Sequence, residues 1–533
     1  MVQSTRARDE TASEDTNASG HAMRRRFDRP ASASDWLFLF LSCVVGLGLV
    51  LSFVADVYVA PLGFDEAYVL QAPVNLITGH GYASTDWAGG GAVVLFDPLL
   101  STGPAVLLPT AATMAVFGVT IEAARWATLP FAVLLVVSAA LLGRRIAGRW
   151  GALAALVGLL AINPATDYPA TVVFGFADAI GEFPAAALIL AAILLLPRSR
   201  LLSGVALGLA ITTKLLGLLA LPAIGLGALL IVPFAWRRAW WLGALKRAFA
   251  LVAGIAIPIL TWEAVKLVTL GLDGYRQLTA SYFDVVLSNG SGADGGGGHV
   301  RERAEVFLHG FFGTPVLSAI VGFAVVACIV VWVIGSRRTT GSFEFLVVDR
   351  GRFLAMLGGV GTLAVFLAWW MLVSDRVWFR HVLPGVVVGV PILAAMAVLG
   401  VRFLLDRPSG SRRWRPLACS VATVAVLAVT LLHAASAFAA PYGWSRAEQL
   451  EDAQALRDLE VVQVQHFLGW QNPELLFLDR GIRTAPYKEG RGPILLSAMM
   501  KNDAYGYEVF QGQCVDVLYH REDTLLCVPV INP

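Results

Sequence analysis

Charge is scarce in this sequence. Asp, Glu, Lys and Arg make up 15% of its 533 residues, against roughly 25% in ordinary soluble domains, while hydrophobic residues reach 57%. Mean hydropathy is +0.69. A chain so poor in charge cannot clothe its apolar residues in a water-facing polar shell, so a soluble globular class is excluded and burial in lipid is implied. The formal net charge of +2 is too small for a nucleic-acid binder, and the basic residues sit in short clusters between apolar runs, where topology explains them. Nor do the first 30 residues resemble a cleavable signal, because the apolar run after Arg24-Arg25-Arg26 is full length and lacks an evident cleavage site.

Cysteine is sparse too. Of five, Cys43, Cys328 and Cys419 fall in apolar spans, where a thiol behaves as a small hydrophobe. Cys514 and Cys527 lie in the polar C-terminal region, where pairing is chemically permitted if that region is outside the cytoplasm. The glycine-rich segment from Asn289 to His299 lacks the strand-to-helix context of a phosphate-binding loop, which excludes a nucleotide site and leaves a mobile lid or linker. Tyr275, Arg276, Tyr282 and Arg301 flank it, and one or more of them could reach over a bound ligand.

Long apolar runs are what the chain has in abundance. Trp36 to Ala55 and Leu417 to Ala440 each reach the roughly 20 residues that cross a bilayer core. About eleven spans are expected, near 36–55, 125–143, 150–163, 183–197, 201–213, 215–235, 248–270, 312–335, 353–373, 382–405 and 417–440. With the N-terminus inside, this alternation places the clusters Arg144 to Arg149, Arg198 to Arg200, Arg237 to Arg247, Arg337 to Arg352 and Arg407 to Arg415 in the cytoplasm. Counting Pro98 to Phe117 as a full span would invert every later loop, so it is read as a re-entrant or surface-lying helix. The fold class is an all-α polytopic membrane protein. Its domains are a disordered cytoplasmic tail, 1–35; a transmembrane domain, 36–440, with outer loops 56–124 and 271–311; and a small extracytoplasmic α+β region, 441–533. In the last, a polar helical run from Ser445 leads to strand-like pieces at Leu475 to Leu478 and Ile494 to Leu496.

This topology gathers ionisable residues on the outer face: Asp65 and Glu66, the turn with Asp167, Asp178 and Glu182, the hairpin bearing Lys214, and the Ser374 to His381 turn. Charges at a membrane boundary are costly, and a functional role is the default reading; the bland one is a solvated loop residue or a headgroup anchor. Asp65, in Gly63-Phe64-Asp65-Glu66-Ala67-Tyr68, could take a proton from an acceptor hydroxyl, or be one of a pair of acids favoured by a helix N-terminus. Lys214 interrupts an apolar stretch from Leu201 to Val232.

The Gly63 to Tyr68 segment resembles the first outer loop of GT-C glycosyltransferases, especially protein O-mannosyltransferases and lipid A aminoarabinose transferases of the family 39 type. Phe96-Asp97-Pro98 to Pro109, Phe117-Gly118 and Glu122-Ala123-Ala124-Arg125-Trp126 are similar to the family's Pro-rich helix, Phe-Gly turn and small-small-Arg start of the next span. Leu202-Ser203-Gly204 to Thr213-Lys214 and Phe379-Arg380-His381-Val382-Leu383-Pro384 resemble further recurrent segments, His381 standing where Tyr is usual.

By that resemblance, Asp65 is the catalytic base of an inverting transfer from a polyprenyl-phosphate sugar, with Glu66 orienting the acceptor. Glu182 is the closest match to the family's second acidic residue, with Asp178 and Asp167 as alternates. Lys214 and Arg380, assisted by His381, would hold the lipid phosphate. The Asp-x-Asp pattern of metal-using oligosaccharyltransferases is missing, so a divalent metal has no support and no cofactor is assigned. The expected partners are the lipid-linked donor, membrane lipids and an envelope glycan, lipid or protein acceptor, at the plasma membrane. A transporter or flippase of lipid-linked sugars is the alternative, though no inverted repeat supports it; a noncatalytic assembly subunit would leave Asp65 and Lys214 without a use.

Overall fold

The computed structural model describes residues 32–85, 93–162, 175–230, 238–290, 300–304, 307, 326, 330, 350–374, 379–405, 414–438, 445–466, 477, 482–486, 492–496, 514–521 and 524–529. The N-terminal tail to residue 31, Asp167, the glycine-rich 291–299, nearly all of the expected span 312–335 and most of Leu475 to Leu478 lie outside them. Met1–Val44 and Val45–Pro533 form separate units, and the helices and sheet that build the site belong to the second.

The protein is a mostly helical, multi-pass membrane protein. Among the described residues, five helices are long and apolar enough to cross a bilayer: Ala33–Tyr58, Ile121–Ala161, Trp241–Val286, Arg350–Leu372 and Leu383–Arg402. Shorter apolar helices accompany them. The first long helix is α1 (Ala33–Tyr58), and α2 (Phe64–Ile77) follows after a five-residue link. A two-stranded antiparallel hairpin, β1 (Ala83–Thr85) with β2 (Val93–Leu95), comes next. It is tied to α2 by side-chain amides: Gln71 Oε1 accepts from Thr85 N at 2.6 Å, and Asn75 Nδ2 donates to Ala83 O at 2.9 Å.

The stretch expected to be re-entrant or surface-lying, 98–117, contains α3 (Pro104–Phe117), begun by Pro104 at the first turn, where a missing N–H costs nothing. Fourteen residues rise only about 21 Å, short of the roughly 30 Å of a bilayer core. With the short α4 (Ile121–Trp126), α3 packs on α2 through Leu62, Leu70, Val74, Met114, Ile121 and Ala124.

Two expected spans, 125–143 and 150–163, are the arms of α5 (Leu129–Ala161). The bend falls in the arginine-rich turn at Ala147 and Gly148, where Gly148 takes φ +68°. The arms meet closely: a Cβ on Gly143 would lie 2.4 Å from the carbonyl oxygen of Gly151. Helices α6 (Glu182–Leu195) and α7 (Arg200–Thr213) follow. Lys214 is extended (φ −149°, ψ 125°) and ends α7; in the described part of the expected span 215–235 a 3-10 turn, Leu215–Ala220, runs into α8 (Leu221–Leu230).

The expected outer loop 271–311 contains helix in its described residues. Its first part is helix, because α9 (Arg238–Gly290) resumes after a single break at Gly271 (φ +69°, ψ 176°). Beyond it stand α10 (Arg350–Leu372), a 3-10 turn Phe379–His381, α11 (Leu383–Leu405) and α12 (Trp414–Phe438).

The C-terminal region is small and mixed. Its helix α13 (Arg446–Asp458) starts in a capping box in which Ser445 and Glu448 satisfy each other's backbone N–H groups. Strands β3 (Gln463–His466), β4 (Arg483–Pro486), β5 (Ile494–Leu496), β6 (Cys514–Arg521) and β7 (Thr524–Pro529) form one sheet of order β4-β3-β5-β7-β6. Its β3 pairs in parallel with β4 and β5, and β7 runs antiparallel to β5 and β6. Leu456 of α13 packs with Val464, Leu495 and Leu526. A disulfide joins Cys514 to Cys527, with Cα atoms 5.5 Å apart.

Gly103 sits where α3 meets α7. Its N–H donates to Thr213 O at 2.8 Å, and a Cβ there would lie 1.8 Å from Thr212 O. Gly103→Ala is therefore expected to lower stability by about 1–3 kcal/mol in thermal melts of detergent-solubilised protein. Gly46→Ala, which has nothing within 4 Å, should not lower it.

Candidate active site

Successive residues on an α-helix point about 100° apart, so the neighbours Asp65 and Glu66 face different surroundings at the first turn of α2. Glu66 turns inward and is 3% exposed. Both its oxygens are taken by Arg125, whose Nε lies 3.0 Å from Oε1 and whose second terminal nitrogen lies 2.6 Å from Oε2. The N–H of Ala179 also reaches Oε1, at 3.3 Å. Asp65 turns outward, remains partly exposed and forms an ion pair with Arg380.

Arg125 is fully buried and uses its whole fork. It donates to the carbonyls of Asp56, Ala60 at 2.7 Å and Pro61 at 2.9 Å, spanning the link between α1 and α2. Asp178 approaches it to 4.0 Å and accepts from Gly175 N at 2.6 Å, while Asp56 accepts from Phe176 N. Three buried carboxylates thus surround one guanidinium. Burial, reinforced by the Glu66 charge, raises the Asp178 carboxyl well above the usual carboxylate range. The guanidinium occupies the place a cation would need, so this acidic cluster does not fit a divalent metal.

Lys214 is also spoken for. Its ammonium lies 2.8 Å from Glu182, 3.0 Å from Ile180 O and 3.3 Å from Ser101 Oγ, three partners for three donors. This joint ties the end of α7 to the start of α6 and to the loop before α3. Gly181, with φ +90°, makes the turn that brings Ile180 and Glu182 to one lysine. Arg380, in the 3-10 turn before α11, is pulled by burial from its ordinary value to about 10, which leaves it charged at neutral pH. His381 packs 6.1 Å from Trp369, ring to ring.

The structure thus joins the sequence candidates in pairs: Asp65 with Arg380, and Glu182 with Lys214. The Arg125 cluster brings Glu66 and Asp178 together. In this geometry both Glu66 oxygens are engaged by Arg125, and the Lys214 ammonium lies among Glu182, Ile180 O and Ser101 Oγ.

Sequence reasoning passed over several residues. Arg303 is buried and caps the end of α10, donating to Trp370 O at 2.6 Å, to Met371 O at 3.2 Å and to Ser374 O. Gln449 of α13 grips the α1–α2 link, accepting from Leu62 N at 2.7 Å and donating to Leu62 O at 2.9 Å. Beside it Arg446 donates to Val57 O and pairs with Glu122.

A cavity of about 370 Å³ opens between the loop from Phe96 to Pro104, the end of α7 and the two arms of α9. Glu263 and Lys266 line it and pair at 2.8 Å. Two charges inside the expected span 248–270 were the signal that could have found them.

No family model matches the sequence, and no curated protein matches it. Solved structures do. ArnT from Cupriavidus metallidurans bound to undecaprenyl phosphate superposes with a TM-score of 0.55 at 14% identity, covering 94% of this chain and 99% of that one. The two chains share a fold over nearly their whole lengths. Apo ArnT from the same organism gives a TM-score of 0.49 at 15% identity, over 92% of this chain and 97% of that one. Oligosaccharyltransferase AglB from Archaeoglobus fulgidus, in complex with an inhibitory peptide and a dolichol-phosphate, gives 0.47 at 13% identity, over 85% of this chain and 65% of that one. Identities this low speak for the fold alone, so the roles of individual residues rest on this protein's own geometry.

Arg125→Met leaves Glu66 buried without its counterion and is expected to cost about 3–5 kcal/mol, read as loss of folded protein on size exclusion and melting. Asp178→Asn keeps the shape and is uncharged like the protonated acid, so it should stay within about 1 kcal/mol of wild type. The folded state holds the Asp178 proton that the unfolded chain releases above about pH 3.9, so this group's contribution falls as pH rises. Melting curves of Asp178→Asn should lack that part of the decline.

Proposed function

We propose that the protein is an inverting glycosyltransferase that moves a monosaccharide from a polyprenyl-phosphate donor to a cell-envelope glycan, lipid or protein on the outer face of the plasma membrane. The observation that carries the reading is the ion pair between Asp65 and Arg380, partly exposed at the start of α2. ArnT, whose fold this chain shares, was solved with undecaprenyl phosphate, which supports a lipid phosphate as the carrier. The topology that goes with it has about eleven crossings, a cytoplasmic tail (1–35), a membrane domain (36–440) and an extracytoplasmic region (441–533).

The chemistry follows from the charges. A donor phosphate competes for Arg380, and a guanidinium that turns to it frees the Asp65 carboxylate. The acceptor hydroxyl attacks the anomeric carbon from the face opposite the phosphate. Its proton passes to Asp65, and the breaking carbon–oxygen bond leaves its electron pair on the phosphate, where Arg380 stabilises it. Inverted product and polyprenyl phosphate result. Glu66 acts at one remove, by holding the first turn of α2 to Arg125, and Lys214 and Glu182 brace the neighbouring loop. His381 supports the turn that carries Arg380. Neither cofactor nor metal has a step in this scheme.

Asp65→Asn is expected to lower transfer of radiolabelled sugar from polyprenyl-phosphate donors by about 10²–10⁴-fold, with donor affinity retained within a few fold. Arg380→Ala should lose both turnover and donor affinity. Undiminished transfer by Asp65→Asn, or passage of lipid-linked sugar through proteoliposomes without transfer, would contradict the proposal.

A further inference from the structure

The cavity has two different walls. On one, Trp262 stands edge-on to Tyr82 at 4.9 Å and to Phe96 at 5.6 Å, and those two rings stack at 5.8 Å. Opposite, Tyr275, Leu278, Thr279, Tyr282 and Phe283 line it from the second arm of α9. Their spacing of three and four residues makes one continuous helical face. Gly271 turns this arm back over the first. At the hinge side, Glu263 Oε1 meets Lys266 Nζ at 2.8 Å and Glu263 Oε2 accepts from the Tyr275 hydroxyl at 2.9 Å. Lys266 also stands 5.9 Å from the centre of the Tyr282 ring.

The charge of this lining is the informative part. Lys266 is neutralised by Glu263. Asp97, the other charged residue on the wall, has its carboxylate occupied by the hydroxyls of Tyr68 and Ser84 and by Leu99 N–H at 2.8 Å. Among the described residues no surplus cation faces the space, so it suits neither a phosphate nor a carboxylate. Aromatic surfaces and hydroxyls of Ser101, Thr212 and Thr279 suit a compact ring with apolar C–H faces and polar edges. At about 370 Å³ the volume lies within the usual range for small-molecule sites. The wall is also linked to the proposed base: Tyr68, which bonds Asp97, lies one turn after Asp65 on α2.

We propose that this cavity holds the sugar ring of the donor, and that Glu263, by neutralising Lys266, restricts it to sugars without an acidic group. The proposal rests on the transferase reading. It adds two things: a site for the ring, built from Trp262 and the second arm of α9, and a specificity determinant, Glu263.

The test uses the full-length protein in detergent and native mass spectrometry with three probes: undecaprenyl phosphate, mannosyl-phosphoundecaprenol and galacturonosyl-phosphoundecaprenol. Wild type is expected to bind the mannosyl donor more tightly than the galacturonosyl one. Trp262→Ala should weaken the mannosyl donor by at least about tenfold and change undecaprenyl phosphate by less than about twofold. Glu263→Gln, which leaves Lys266 unpaired, should shift the ratio of galacturonosyl to mannosyl binding by at least about tenfold toward the acid. The exposed Arg144→Ala should leave that ratio unchanged. An unmoved ratio in Glu263→Gln overturns the selectivity. Equal losses of donor and bare lipid phosphate in Trp262→Ala overturn the ring site, because the cavity would then hold lipid or phosphate. Neither result depends on turnover, so failure of Asp65→Asn to lose transfer would count against the transferase reading separately.

Discussion

Arg125 is the group on which the rest of the site depends. A fully buried guanidinium is tolerable only when its donors are matched, and here a bidentate carboxylate and three backbone carbonyls match them. Those carbonyls come from Asp56, Ala60 and Pro61, in the link that ends α1 and begins α2. Arg125, in the last turn of α4, therefore ties α4 to the link that sets the start of α2. Because Glu66 must turn toward it, Asp65 must turn away.

Other contacts converge on the same short link. Gln449 closes both backbone groups of Leu62, and Arg446 holds Val57 O while pairing with Glu122. Burial, together with the nearby Arg125 charge, lowers the Arg446 guanidinium from its ordinary value. The C-terminal region is thus more than an appendage to the helices, since one face of α13 seals the link that leads to Asp65. On the other side, Lys214 and Glu182 join α6, α7 and the loop that forms the cavity wall. Charges this deeply buried stay in place only when paired, as Glu66 is with Arg125 and Glu182 with Lys214.

Much of this was legible in the sequence, to a definite depth. Apolar runs and arginine clusters mark the helices, and Arg144 to Arg149 marks the bend of α5. Asp65, Glu66, Glu182, Lys214 and Arg380 all stand out as charges beside apolar runs. Which of them pair was not legible, because pairing depends on helical phase and on contacts between residues distant in sequence. Asp65 and Glu66 look alike as letters and differ only by about 100° of rotation. Lys214 was visible as an interruption, yet its three partners lie in loops whose turns need the left-handed conformation of Gly181 and the close approach of Gly103. Glu263 and Lys266 were visible too, but a pair three residues apart in a span reads equally as a local ion pair. Only the folded arm beyond Gly271, expected as loop, turns them toward a cavity.

The central claim is that a lipid phosphate takes Arg380 from Asp65. Cryo-electron microscopy of the protein with undecaprenyl phosphate bound tests it directly. The account predicts the phosphate on the Arg380 guanidinium and the Asp65 carboxylate released from it, facing open space. An intact Asp65–Arg380 pair with the phosphate held elsewhere would contradict it.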